Sequence, residues 1–294
     1  MISLDVFRDR ILDSSPDGWY LRRGKNFDYL DFWPLENAGV ATGIFSTKVG
    51  KISRKKPVEI NLNLYKKYGL EQGRESFQLY SKRFGLNSNN IATTRLIYST
   101  NEVRKVERTG EVMLFNEATA PHADAIITDN PRVVLFLYVA DCAIIYLADP
   151  KKRAIGLVHS SWRTALKGVV ENAIDAMAKN YGTNPKDLIA IVSPCLGSEH
   201  FEVGEEVAER FEMFEMGEMI VRTPNRKPRL DFYSINEELL KRSGVSGENI
   251  YAMRGFCTYE DEELFHSFRR GSIDDDGRHL NGLNGAFLSL EAFS

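Results

Sequence analysis

Hydrophobic residues along this chain fall in short continuous runs, set between stretches with helical spacing. Residues 133–139 and 144–147 are apolar runs separated by Ala140-Asp141-Cys142, and a third run, 154–158, ends at His159. Runs this short, without polar alternation, predict strands buried on both faces. Beyond His159, Ser160-Ser161-Trp162-Arg163 leads into a stripe of Leu166, Val169, Val170, Ala173, Ile174 and Met177. That spacing predicts one amphipathic helix over 164–181, stopped by Gly182. Further strands are predicted at 19–21, 27–33, 39–46, 91–97, 103–106, 188–192 and 251–255, and helices at 73–84, 203–214 and 230–244, the last starting near Ser234 or Asn236. Residues 51–57 form a basic turn, and 216–228 are irregular and charged, the best candidate for a mobile segment or lid. Helices and strands interleave without a strict βαβ repeat. The expected fold is α+β, a single domain over 1–294 with mixed β-sheets and helices packed outside.

Composition narrows the function classes. A net charge of −3 and a pI near 6.0 argue against nucleic acid as the main partner. Cys142, Cys195 and Cys257 are odd in number and far apart, which argues for a reducing compartment rather than a disulfide framework. Asp5, Arg8, Asp9 and Arg10 interrupt the first apolar residues, so no signal peptide is expected. No window approaches the roughly 18 uncharged apolar residues of a membrane span. A soluble cytoplasmic protein is the expectation.

The candidate chemistry lies at the ends of the central runs, where a sulfur and an imidazole terminate buried segments. Rigid strand ends can hold a metal or an activated nucleophile. Ala140-Asp141-Cys142 followed by Val158-His159-Ser160-Ser161-Trp162-Arg163-Thr164 resembles the ADC…HaGWRG signature of the YfiH-type laccase-domain family, also called multicopper polyphenol oxidoreductases and purine nucleoside phosphorylases. Other segments follow in the family's order: 42–48 resembles "hgfttR", 61–64 "sLNL", 123–128 "aDalvT", 193–197 with 201–204 "GPsIG…yEVG", Leu230-Asp231 with Asn236 "lDl…N", 257–270 "CT…fFSYRR", and Gly277-Arg278 the closing "GR". Each is weak alone; the order is specific.

The resemblance implies a YfiH-like fold and one metal, zinc or copper, held by a Cys and two His. Cys142 and His159 match two of these ligands, while Ser99 occupies the position of the second family His. His122, close to Asp124, is the candidate replacement ligand; its alternative is a surface histidine. His200 and His266 replace non-ligand positions and read as structural, and His279 as solvated. Lys48 stands for a family Arg, and Ser161 and Thr164 for family glycines whose lack of a side chain would admit a ligand. The implied substrates are a purine nucleoside such as adenosine, and phosphate. The implied reaction is phosphorolysis, with hydrolytic deamination as a second one. Lys48, Arg163 or Arg269 would hold phosphate and Asn63 would orient the sugar. The start of the helix after Ser160 is either an anion site beside Arg163 or a plain Ser cap. Polyphenol oxidation ranks lower, because one Cys/His site offers no multicopper cluster.

Two other readings stay open. Cys142 and His159, with Asp141 orienting the ring, could form a metal-free thiolate–imidazolium pair of hydrolase type. Alternatively the chain is a catalytically silent paralogue that binds a ligand or a protein partner.

Overall fold

The computed structural model describes residues 10–24, 26–53, 56–62, 70–86, 89–96, 100–109, 121–273 and 281–290. Asn63, Ser99, Gly277-Arg278 and His279 lie outside the described residues. Two mixed sheets form the body. The first runs in the order Arg10–Ser15, Trp19–Arg23, Phe27–Asp31, Thr42–Ser53, Asn284–Ser289, Val134–Val139 and Ile91–Ala92, with Lys56–Glu59 paired to Thr42–Ser53. The second runs Ile250–Ala252, Ile189–Val192, Ala143–Asp149, Ala154–Ser160, Ala125–Thr128 and Val103–Lys105. Most pairs are antiparallel; Ile189–Val192 with Ile250–Ala252, Val103–Lys105 with Ala125–Thr128, and Ile91–Ala92 with Val134–Val139 are parallel. The expected α+β class with mixed sheets is what the molecule has.

The sheets pack on each other, with helices outside. Every residue of Val134–Val139, Ala143–Asp149 and Ala154–Ser160 is buried, as continuous apolar runs require when both faces are covered. Helix Leu70–Phe84 lays Phe77, Tyr80 and Phe84 on the first sheet, where Tyr80 stacks on Phe27 at 4.1 Å and on Phe287 at 5.3 Å between ring centroids. Helices Val169–Tyr181 and Phe232–Arg242 cover the second sheet. Between the sheets the Tyr146 hydroxyl donates to the Ile44 carbonyl at 2.7 Å, and Phe32 meets the Tyr146 ring edge-on. The buried apolar side chains of both sheets form one contiguous cluster.

Several expected elements differ for identifiable reasons. The strand expected over 27–33 stops at Asp31, because Pro34 sits in the first turn of a short helix, Trp33–Asn37. The strand expected over 39–46 is Thr42–Ser53, and of the basic turn expected at 51–57, residues 51–53 end that strand and residues 56–57 begin Lys56–Glu59. The single helix expected over 164–181 is two, Trp162–Ala165 and Val169–Tyr181, divided at Gly168 with φ +78°. A left-handed residue cannot continue a right-handed helix. Gly182, φ +70°, closes the second helix as expected. Helix Phe232–Arg242 is capped by Asp231, whose side chain accepts from the Ser234 N–H at 3.0 Å, rather than starting at Ser234 or Asn236.

Strand Asn284–Ser289 was absent from the sequence reading, yet it lies between Thr42–Ser53 and Val134–Val139. Among the described residues no helix is long and apolar enough to cross a membrane. Because Phe287 is fully buried against Tyr80, Phe136 and Phe77, Phe287→Ala is expected to lower unfolding free energy by about 3–5 kcal/mol in urea titration. A loss below about 1 kcal/mol would remove this strand from the core.

Candidate active site

Residues 140–142 form the corner at which the chain leaves the first sheet (Val134–Val139) and enters the second (Ala143–Asp149). Asp141 makes the corner with φ +77°, in the left-handed region that aspartate tolerates better than most non-glycine residues. Its contacts hold three other loops. The Thr258 hydroxyl donates to Oδ1 at 2.7 Å, the Arg269 backbone N–H to Oδ2 at 2.7 Å, and the Leu196 N–H to the Asp141 carbonyl at 2.9 Å. Segments 193–197, 257–258 and 268–270 therefore gather round Cys142.

Antiparallel pairing places Ile144 opposite His159. Cys142 immediately precedes strand Ala143–Asp149 and His159 lies near the end of its partner, so the two residues stand at adjoining strand ends. The His159 ring is buried. Its Nδ1–H donates to Asp124 Oδ1 at 2.8 Å, and Asp124 is itself fully buried. Asp124 Oδ2 accepts from the Thr100 N–H at 3.2 Å. The pairing leaves Nε2 as the ring nitrogen directed away from Asp124. The role of orienting the imidazole, expected of Asp141, thus falls to Asp124, while both Asp141 oxygens are spent on Thr258 and Arg269. Asp124 had been read only as part of a motif. An aspartate between two alanines at the mouth of a buried strand was its available signal, since a buried charge needs a partner.

Burial pushes the Cys142 thiol up to about 12, with the Asp141 and Asp124 carboxylates adding to the rise and Arg163 opposing it. A thiolate–imidazolium pair needs the opposite shift, so these surroundings do not favour the metal-free hydrolase reading. The same charges favour a bound cation. Sulfur and imidazole donors, one of them buttressed by a carboxylate, are of the kind a zinc-class metal takes, and Cys142 and His159 would supply two of the three protein ligands such a site uses. His122 does not complete that pair. It is exposed, bridged to Arg95, and among the described residues it forms no group of three ligand atoms with Cys142 and His159.

The helix start after His159 is a cap and not an anion cradle. The Ser161 hydroxyl accepts from the Thr164 N–H at 3.2 Å, and the Thr164 hydroxyl accepts from the Ser161 N–H at 2.8 Å. These two side chains, expected to obstruct a ligand, instead satisfy each other's backbone, and Thr164 also donates to the His159 carbonyl at 3.0 Å. Arg163 points outward over the Trp162 ring, its guanidinium carbon 4.1 Å from the centroid. With Trp162, Leu166, Lys167, Arg210, Met213 and Phe214 it lines a cavity of about 420 Å³. Lys167, in the turn before helix Val169–Tyr181, and Arg210, in helix Glu205–Met213, carry no motif; only folding brings them together.

The remaining candidates are placed as follows. Lys48 is half-buried, its N–H bonded to the Leu264 carbonyl at 2.7 Å. Arg269 is exposed, and its guanidinium donates to the Glu202 carbonyl at 3.0 Å. The adjacent Arg270 is engaged by the carbonyls of Thr258, Tyr259 and Phe265. His266 bonds the Ile60 carbonyl through Nε2 at 2.6 Å, and burial lowers its pKa.

Sheet order and corner geometry define a laccase-domain architecture with a cysteine and a histidine at adjoining strand ends. The family described as "Multi-copper polyphenol oxidoreductase laccase" matches residues 42–284, and the chain belongs to that family. It is similar to the purine nucleoside phosphorylase of Bacteroides thetaiotaomicron, 33% identical over 163 residues, which cover 54% of this chain and 60% of that protein. It is also similar to adenosine deaminase RL5 from an unknown prokaryotic organism, 28% identical over 170 residues, 57% of this chain and 64% of that protein. The match thus spans about three-fifths of the length of these curated relatives. The crystal structure of YlmD from Geobacillus stearothermophilus shares the fold, with a TM-score of 0.76 and 22% identity over 96% of this chain and 99% of that one.

Two measurements check the site. In metal-free protein, alkylation of Cys142 by iodoacetamide is expected to be slow at neutral pH and to keep rising with pH past about 10, as a thiol near 12 requires; a rate already level near pH 7 would restore the hydrolase reading. Asp141→Ala is expected to cost about 2–4 kcal/mol in denaturant titration, from two lost hydrogen bonds to a carboxylate and a left-handed residue without its polar side chain.

Proposed function

We propose that this protein is a purine nucleoside phosphorylase that acts on adenosine or a close analogue. The observation that carries the reading is the buried Asp124–His159 pair beside Cys142 at a sheet-to-sheet corner, in a family whose curated relatives are named for this chemistry. A metal held by Cys142 and His159 would supply Lewis-acid polarisation of the bound purine or of a water molecule. Asp124 fixes the tautomer and direction of the imidazole, so that Nε2 serves as ligand or proton acceptor.

In phosphorolysis a phosphate oxygen forms the bond to the ribose anomeric carbon as the bond from that carbon to the purine nitrogen breaks. The base leaves with the bonding electrons and takes up a proton. Phosphate needs a cationic seat close to the sugar. Arg163, Lys167 and Arg210 around the cavity beside the His159 helix offer one, and the Trp162, Met213 and Phe214 side chains offer apolar surface for the purine. Arg269 belongs to a loop that Asp141 gathers and Lys48 to strand Thr42–Ser53; both are secondary candidates for the same anion. Residues 216–228 hold a short turn, Gly217–Met219, and strand Ile220–Val221, which pairs with Arg229–Leu230, beside the helix that carries Arg210; we assign them the closing role. Deamination of adenosine is the second reaction, suggested by the relative of that name. Three unpaired cysteines suit the cytoplasm.

Chromatography of adenosine incubated with the protein and phosphate distinguishes the outcomes. Phosphorolysis yields adenine and ribose 1-phosphate, and deamination yields inosine and ammonia. His159→Ala is expected to abolish turnover, and Asp124→Asn to lower metal affinity by about 10–100-fold. Arg163→Ala is expected to raise KM for phosphate more than it lowers kcat. No product from the metal-loaded protein would leave the silent binding paralogue as the reading.

A further inference from the structure

We infer that this protein carries a second metal site, of the zinc class, formed by His200, Cys257 and Glu260. Their donor atoms lie within 4.8 Å of one another, and they are the only such group of three among the described residues. The ligands come from two loops. His200 ends the turn that begins at Gly197, whose carbonyl accepts the His200 N–H at 3.0 Å; Cys257 and Glu260 stand three residues apart on the facing loop. The set is separate from Cys142 and His159 and shares no side chain with them.

Cys257 Sγ lies 3.5 Å from His200 Nδ1. Two tetrahedral ligands at zinc distances, roughly 2.3 Å for sulfur and 2.05 Å for nitrogen, are separated by about 3.6 Å. The pair is therefore already spaced to share one ion. The sulfur also receives the Gly197 N–H at 3.3 Å, which helps fix its position. Glycine is what permits this approach, since a Cβ on residue 197 would sit 3.2 Å from Cys257 Cβ and 3.3 Å from Sγ. The imidazole is stacked on Tyr259, 4.6 Å between centroids and 26° between planes, which fixes the ring plane. Asp261 Oδ2 accepts the Cys257 N–H at 2.7 Å and holds the loop that presents the sulfur.

A thiol, an imidazole and a carboxylate select a borderline cation such as Zn²⁺ over Mg²⁺ or Ca²⁺, which prefer all-oxygen sites. Glu260 is exposed, so the third ligand closes from solvent, and a water molecule completes four-coordination. The guanidinium of Arg270, next to Tyr259, is occupied by carbonyls and does not supply the positive charge. The ion has a structural consequence. Thr258, adjacent to Cys257, donates its hydroxyl to Asp141 and its N–H to the Cys195 carbonyl, so a metal pinning Cys257 to His200 would clamp two of the loops that surround Cys142.

The test uses the full-length chain, stripped with a chelator and titrated with Co²⁺, whose thiolate charge-transfer absorption reports a sulfur ligand. Cys142→Ala removes the first site's sulfur. In that background one Co²⁺ with thiolate absorption is expected to remain. Adding His200→Phe keeps a ring to stack on Tyr259 but removes the nitrogen. It should weaken Co²⁺ binding by about tenfold or more, at least what loss of an outer partner of a metal ligand typically costs. Glu260→Gln should weaken binding by less, and circular dichroism confirms that each variant is folded. Cys142→Ala protein with no thiolate absorption, or unchanged affinity in the His200→Phe variant, would overturn the site. Neither result depends on nucleoside turnover.

Discussion

One aspartate holds the site together. Asp141 turns the chain from one sheet into the other in a left-handed conformation, and its two carboxylate oxygens and its carbonyl collect donors from three distant loops. A charged group taken from water is tolerated only when its lone pairs are met, and here the groups that meet them are Thr258, Arg269 and Leu196. Satisfying Asp141 and assembling the walls around Cys142 are therefore the same event. Two tightly paired sheets supply the rigidity that makes this corner worth building on.

The electrostatics of the centre follow from that arrangement. Burial first, and then the Asp141 and Asp124 carboxylates, push the Cys142 thiol up, so a bound cation is what would favour its thiolate. Asp124 aims His159, and the Ser161–Thr164 capping box fastens the strand end that carries it. The Ser161 and Thr164 side chains thus become a reciprocal brace. The brace is locally consistent and closes the helix start to an anion, leaving cationic charge to Arg163, Lys167 and Arg210 around the neighbouring cavity.

Much of the architecture was legible in the chain. The apolar runs at 133–139, 144–147 and 154–158 are strands because a continuous apolar segment can be satisfied only between two covering layers. The stripe from Val169 to Met177 and its glycine stop also read correctly. The misses share a cause. Gly168 sits inside a helical pattern without betraying its left-handed conformation, and Asn284–Ser289 is a short segment made a strand by partners about 240 and 150 residues away. His200 read as structural because its ligating neighbours, Cys257 and Glu260, lie nearly 60 residues downstream.

The sequence by itself determined which residue types end the buried strands, because burial patterns and turn residues are local properties of composition and spacing. That places Cys142 and His159 at strand ends. What each side chain faces was decided by tertiary structure alone. Asp124 rather than Asp141 orients the imidazole, Ser161 and Thr164 brace rather than block, and His200 meets Cys257. Each outcome depends on a contact between segments that are remote in sequence or turned by the backbone, and hydrogen-bond satisfaction is settled only when those segments meet.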